Sequence, residues 1–99
     1  MGKASPKSIV DLISECHHRS TEKEVISCLK ELFEKIHNGM VSYELGHEYE
    51  KLGKNKEAVK YYEEAESLFE KASFKNMARA AINNIVIEAL ITEKKKKKK

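Results

Sequence analysis

Apolar residues return at intervals of three and four along this chain, the spacing that lines one face of a helix, and nowhere sustain the alternation of a strand. Ile9, Val10, Leu12, Ile13 and Cys16 form a first such face behind Ser5-Pro6, a cap with proline at the first helical position, which predicts a helix over about 6–18. Val25, Ile26, Leu29, Leu32, Phe33 and Ile36 form a second face. Ser20 or Thr21 caps it, Glu24 completes a capping box if Thr21 is the cap, and Asn38-Gly39 is expected to end it. Val41, Leu45, Tyr49 and Leu52 predict a third helix over about 40–52, with Gly53 as its left-handed terminator. Asn55 is the expected cap of a fourth, striped by Ala58, Tyr62, Ala65, Phe69 and Ala72. After a break within 72–76, a fifth helix is predicted over about 76–93.

Connections of a few residues between such helices imply antiparallel neighbours and leave no linker long enough to separate domains. Ninety-nine residues suffice for one modest core. The expected organisation is a single all-α domain over 1–93, followed by a disordered lysine tail over 94–99. The fifth helix is apolar on too much of its circumference: Met77, Ala78, Ala81, Ile82, Ile85 and Ala89 on one side, Val86, Ile87, Leu90 and Ile91 on another. Either it is buried on both sides, or it leaves an apolar patch for a partner or a second copy of the chain.

In the middle of the chain the small and aromatic residues keep a fixed spacing: Leu45-Gly46, Tyr49, Gly53, Ala58, Tyr62 and Ala65. Gly46 and Ala58 allow two helices to approach closely, and Gly53 permits the turn between them. In type and register these seven positions resemble the tetratricopeptide repeat, over Val41 to Phe74. One departure is Ser42, where that family often has a large aromatic residue. Upstream, Ile26, Leu29, Leu32 and Phe33 look like a degenerate copy of Tyr62, Ala65, Leu68 and Phe69. Downstream, Asn83-Asn84-Ile85-Val86 is similar to the start of a longer-period repeat whose second helix is extended by a turn, with Ile85 following Leu45.

The resemblance implies an antiparallel stack of about five helices in hairpins, the last helix lacking its partner, and a non-catalytic protein-interaction role. The family's groove is lined by the first helix of each hairpin. Those positions fall here on Met40, Tyr43, Glu44, His47 and Glu50, and then on Ala80, Asn83, Asn84, Ile87 and Ile91. Tyr43, His47, Glu50, Asn83, Asn84, Ile87, Leu90 and Ile91 are therefore the expected partner-binding residues, Leu90 through the apolar side of the last helix. Tyr43, Glu44 and His47 occupy positions where the family's basic carboxylate clamp would need Lys or Asn, so chaperone C-termini are not the expected ligand.

Charge changes the picture at one end. The net +3 includes the run Lys94 to Lys99, and without it thirteen basic residues face sixteen acidic ones, a body at −3 with no basic stripe for nucleic acid. A second reading of function therefore assigns polyanion binding, to nucleic acid or a membrane surface, to that tail alone. A three-helix domain of the microtubule-interacting-and-trafficking type shares the style of "EAVKYYEEA", but Leu45-Gly46-x-x-Tyr49 favours the repeat. No apolar run is long enough to span a bilayer and the first residues lack the stretch of a signal peptide, so a cytoplasmic protein with Cys16 and Cys28 reduced in the core is expected. Cys16-His17-His18 cannot converge on one ion, because successive helical residues point about 100° apart. No phosphate loop, nucleophile elbow or paired metalloprotease histidines occur. Neither a metal, a cofactor nor an enzymatic activity is expected.

Overall fold

The computed structural model describes residues 8–97, and side chains as far as residue 92. Five helices follow one another: α1 (Ile9–His17), α2 (Glu22–Lys35), α3 (Gly39–Lys51), α4 (Asn55–Leu68) and α5 (Ala72–Lys97). Successive helices pack on one another, α3 against α4 most extensively, and α1 also reaches α3. The chain is an all-α stack of helical hairpins of the expected kind: α1 with α2, α3 with α4, and α5 without a partner among the described residues.

The ends of the helices are set by local hydrogen bonds, several of them one to three residues from the expected positions. The Ser5-Pro6 start lies outside the described residues; α1 instead begins behind Ser8, whose Oγ accepts from Asp11 N–H at 3.1 Å. Thr21 caps α2, accepting from Glu24 N–H at 3.1 Å, while the Glu24 carboxylate accepts from Ser20 N–H at 3.2 Å. The return bond of the capping box thus lands one residue early. Asn38-Gly39 does not end α2, which stops at Lys35; the Asn38 side chain accepts from Met40 N–H at 2.7 Å and starts α3. Ile36 and Leu52, each just past a helix, are exposed rather than part of the apolar faces.

The α3–α4 turn is closed as expected. Lys54 N–H donates to Tyr49 C=O and Gly53 N–H to Glu50 C=O, both at 2.9 Å, with Gly53 at φ +77°. That double bond pattern needs a left-handed residue, which glycine supplies without strain. Asn55 is the first residue of α4 rather than its cap; Lys54 holds the cap position and offers no side-chain acceptor.

The next junction departs further. α4 ends at Leu68, with Phe69 extended, so the second helix of the repeat is not lengthened. The extra residues that make Ile85 rather than an earlier residue the counterpart of Leu45 belong to the start of α5, and 72–76 is helix, not a break. Ala72 therefore leaves the α4 stripe and is exposed. α5 also continues past the expected end near Glu93, through Lys97.

The upstream copy is visible in burial. Ile26 and Tyr62, Leu29 and Ala65, Phe33 and Phe69 are buried pairwise at equivalent places on α2 and α4, and Leu32 and Leu68 are both half-buried. One apolar cluster joins α1, α2 and α3 through Ile13, Val25, Leu29, Val41 and Leu45. Two smaller ones tie α4 to α5, through Ala58, Tyr62, Ile82 and Ile85 and through Ala65, Phe69 and Ala78.

The cysteines correct an expectation outright. Cys16 and Cys28 are joined by a disulfide, S–S 2.04 Å and Cα–Cα 5.4 Å, so neither is a reduced core thiol. The antiparallel turn between α1 and α2 brings the two residues opposite each other, which their separation of 12 along the chain does not announce.

Candidate docking surface

Gly46 sets the spacing of the central hairpin. A Cβ on it would stand 2.7 Å from Tyr62 Cδ1, closer than real side chains approach, so the Tyr62 ring lies directly on the α3 backbone. That ring is buried, and its hydroxyl donates to Glu50 Oε1 at 2.7 Å. Burial first, and then the bond to Glu50, hold the Tyr62 phenol far above its ordinary value near 10. Ser42, where a large aromatic residue was the family expectation, is fully buried and donates from Oγ to the Tyr61 carbonyl at 2.7 Å. A polar contact between α3 and α4 replaces bulk at that point.

Tyr43 supplies the missing bulk. Its ring lies 5.2 Å from that of Tyr62 and 6.5 Å from that of Phe69, and burial, with Glu44 and Glu50 nearby, raises its pKa. Tyr49 stacks on Tyr61 at 5.6 Å within the same hairpin. Glu44 is drawn toward α1: His17 Nε2 stands 3.1 Å from Glu44 Oε1, and His17 Nδ1 3.6 Å from Glu48 Oε2. Glu48, only 2% exposed, has that oxygen 3.2 Å from Lys51 Nζ, an ion-pair distance without hydrogen-bond geometry.

The expected partner-binding residues therefore fall into two groups. On α3, Tyr43 and Glu50 are half-buried and engaged within the stack, and His47 is exposed. On α5, Asn83, Asn84, Ile87, Leu90 and Ile91 are all exposed. The large apolar ones are exposed by 52% for Ile87, 57% for Leu90 and 50% for Ile91, with Val86 beside them at 48%. Viewed down the helix at 100° per residue, Val86, Leu90, Ile87 and Ile91 span an arc of roughly 140°. The adjacent arc, carrying Ala78, Ile82 and Ile85, packs into the clusters against α4. Of the two alternatives for this helix, burial on both sides is ruled out for Val86 to Ile91.

Where α5 passes the start of α4, a groove of about 720 Å³ opens between Asn55, Lys56 and Val59 on one side and Val86, Ala89 and Leu90 on the other. Lys56 and Val59 were not foreseeable as site residues. Their contribution depends on which turn of α5 faces α4, and that is set by the early start of α5. Farther up, Arg79 pairs with the Glu66 carboxylate and Lys75 Nζ donates to Glu66 C=O at 2.9 Å, so the start of α5 is tied down while residues 86–92 are exposed. Among the described residues no three of His, Cys, Asp and Glu gather in a way that could hold a metal ion, and no helix is long and apolar enough to cross a membrane.

Such a surface can bind by apolar contact with an amide rim. Comparison with known proteins agrees with the architecture: the tetratricopeptide repeat family matches residues 41–72, which take in most of α3, all of α4 and the connection to α5. No curated protein and no solved structure matches the chain.

Proposed function

With a tetratricopeptide repeat at residues 41–72 as premise, a unit that suggests protein partners, we propose that this chain is a non-catalytic protein-interaction module. Its docking surface is the bare arc of α5, Val86, Ile87, Leu90 and Ile91, with Asn83 and Asn84 as its polar end. The occupant is a helix laid along α5 as α4 is laid along α3, from a partner or from a second copy of the chain. The observation that carries this reading is the exposure of four large apolar side chains on the one long helix that has no following helix among the described residues. Contiguous apolar surface of this kind marks interaction sites on soluble domains. Asn83 and Asn84 support it, since a side-chain amide both donates to and accepts from the polar side chains or the free end of a bound helix. His47, Glu50 and Tyr43 then line the neighbouring part of the groove, in a secondary role.

A photo-crosslinking residue at Ile87 tests this in the source cell, with one at Val10, an exposed residue on α1, as the control. We expect a discrete product from position 87, either a dimer of the chain or one partner, and none from position 10. Equal yields from the two positions overturn the reading. For self-association, sedimentation should show mass rising with concentration, and Leu90→Glu should abolish the rise. A polyanion-binding role for Lys94 to Lys99 would instead give binding to nucleic acid or anionic vesicles that falls steeply with salt and vanishes on deleting the run. The compartment we propose is the cytoplasm, where a disulfide such as Cys16–Cys28 belongs to exchange chemistry more than to permanent bracing.

A further inference from the structure

We propose that the Cys16–Cys28 bond is a thiol-exchange site, opened at Cys28 by a low-molecular-weight thiol, and that its opening releases α1 from the stack. The two sulfurs are not equally placed. Cys16 is 2% exposed and lies in the apolar cluster with Ile13 and Leu29. Cys28 is half-buried and lines two cavities, of about 430 Å³ and 130 Å³, whereas Cys16 lines only the smaller. Arg19 lines both cavities, and its Nη2 donates to Cys28 Sγ at 3.6 Å. Glu31 lines both cavities as well, so the charge there is mixed; the guanidinium is the cation in contact with Cys28 Sγ, and it stabilises Cys28 as a thiolate when a second thiol displaces it.

The exchange balances without any further reagent. A thiolate attacks Cys28 Sγ, a new S–S bond joins the attacker to Cys28, the Cys16–Cys28 bond breaks, and Cys16 departs with the electron pair and takes up a proton. A second thiolate can then displace Cys28, leaving the attacker's own disulfide, so two thiols supply the two electrons. In the reverse direction Cys16 as thiolate attacks the mixed disulfide on Cys28 and expels the small thiol.

Release of α1 follows from how little else holds it. It has nine residues, fewer than the roughly 12–15 that an isolated helix needs in water. Only Ile13 and Cys16 of it are buried, and His17 near its end is a half-exposed side chain standing between Glu44 and Glu48. What α1 covers is the cluster of Val25, Leu29, Val41 and Leu45 on α2 and α3.

The test uses the full chain isolated without reductant and treated with reduced glutathione. Acid quenching and peptide mapping should place the first adduct on Cys28, and hydrogen exchange of the reduced chain should show α1 amide protection lowered at least about tenfold with α3 and α4 unchanged. The double variant Cys16→Ser with Cys28→Ser should show the same loss without glutathione. Two free thiols in the chain as isolated, a first adduct on Cys16, or unchanged α1 protection after reduction would each overturn the proposal.

Discussion

The two complete hairpins solve the same problem differently. α3 and α4 close through shape: Gly46 admits the Tyr62 ring, Ala58 and Ala65 leave room, and Ser42 bonds the Tyr61 carbonyl. α1 and α2 have Ile26 and Leu29 where α4 has Tyr62 and Ala65, and their closure includes a covalent bond between Cys16 and Cys28. A hairpin joined by complementary surfaces depends on every contributor, while one joined by a crosslink depends on a single bond and on the redox state around it. The contrast shows which side chains matter in each half.

Tyr62→Ala should do the greatest damage, about 4 kcal/mol, because it empties the space between α3, α4 and α5 and strands Glu50. Urea denaturation followed by circular dichroism measures it. Removing the crosslink with Cys16→Ser and Cys28→Ser should cost about 3 kcal/mol by loss of loop closure, confined to the first hairpin. Equal loss of protection in α4 would mean that the hairpins are not separable as described. Gly46→Ala comes next. The added methyl improves helix propensity by about 1 kcal/mol, yet it meets a buried ring that its hydroxyl bond to Glu50 holds in place. Overpacking of this kind costs typically 1–3 kcal/mol, so net destabilisation of about 1 kcal/mol is expected, and a stabilised variant would show that Tyr62 can yield.

Alkaline pH separates the halves without mutation, since all four tyrosines lie between Tyr43 and Tyr62. In the unfolded chain a phenol ionises near pH 10, whereas burial keeps Tyr62, and to a lesser degree Tyr43 and Tyr61, protonated in the fold. Below pH 10 both states hold these protons and stability does not change on their account. Above it the unfolded chain has lost protons that the folded one retains, so stability falls as pH rises, by up to about 1.4 kcal/mol per unit from Tyr62 alone. Denaturation midpoints at a series of alkaline pH values should show the decline, shallower in Tyr62→Phe.

How far the sequence could be read follows the same division. The central hairpin was legible because its constraints are local in kind: Gly53 at a left-handed turn and Gly46 opposite Tyr62 each require one residue type at one place. The bare face of α5 was legible from the excess of apolar positions, although which arc stays exposed needed the packing on α4. The disulfide was not legible, because cysteine in a small helical chain reads equally well as a buried apolar residue. The early start of α5 was hidden for another reason. Residues 72–76 have the composition of a break, and helix there is sustained by contacts such as Lys75 with the Glu66 carbonyl, across a turn that sequence spacing does not specify.

The smallest predicted effect concerns how α2 and α4 begin, the equivalent helices of the two hairpins. α2 starts at Thr21, whose hydroxyl accepts from Glu24 N–H. α4 starts at Lys54, which has no side-chain acceptor and sets a positive charge at the positive end of the helix dipole. The position is constrained from the other direction, since Lys54 N–H also closes the end of α3 on the Tyr49 carbonyl, so one residue serves two helix ends. Only its side chain is free to change. Lys54→Asp should keep the backbone bond to Tyr49, add an acceptor for the first N–H groups of α4 and reverse an unfavourable charge, stabilising the chain by about 1 kcal/mol. Thr21→Ala should lower stability by a similar amount. If Lys54→Asp is neutral while Thr21→Ala is costly, the start of α4 is governed by the turn that ends α3, and the second hairpin is closed at its turn by backbone bonds and glycine alone.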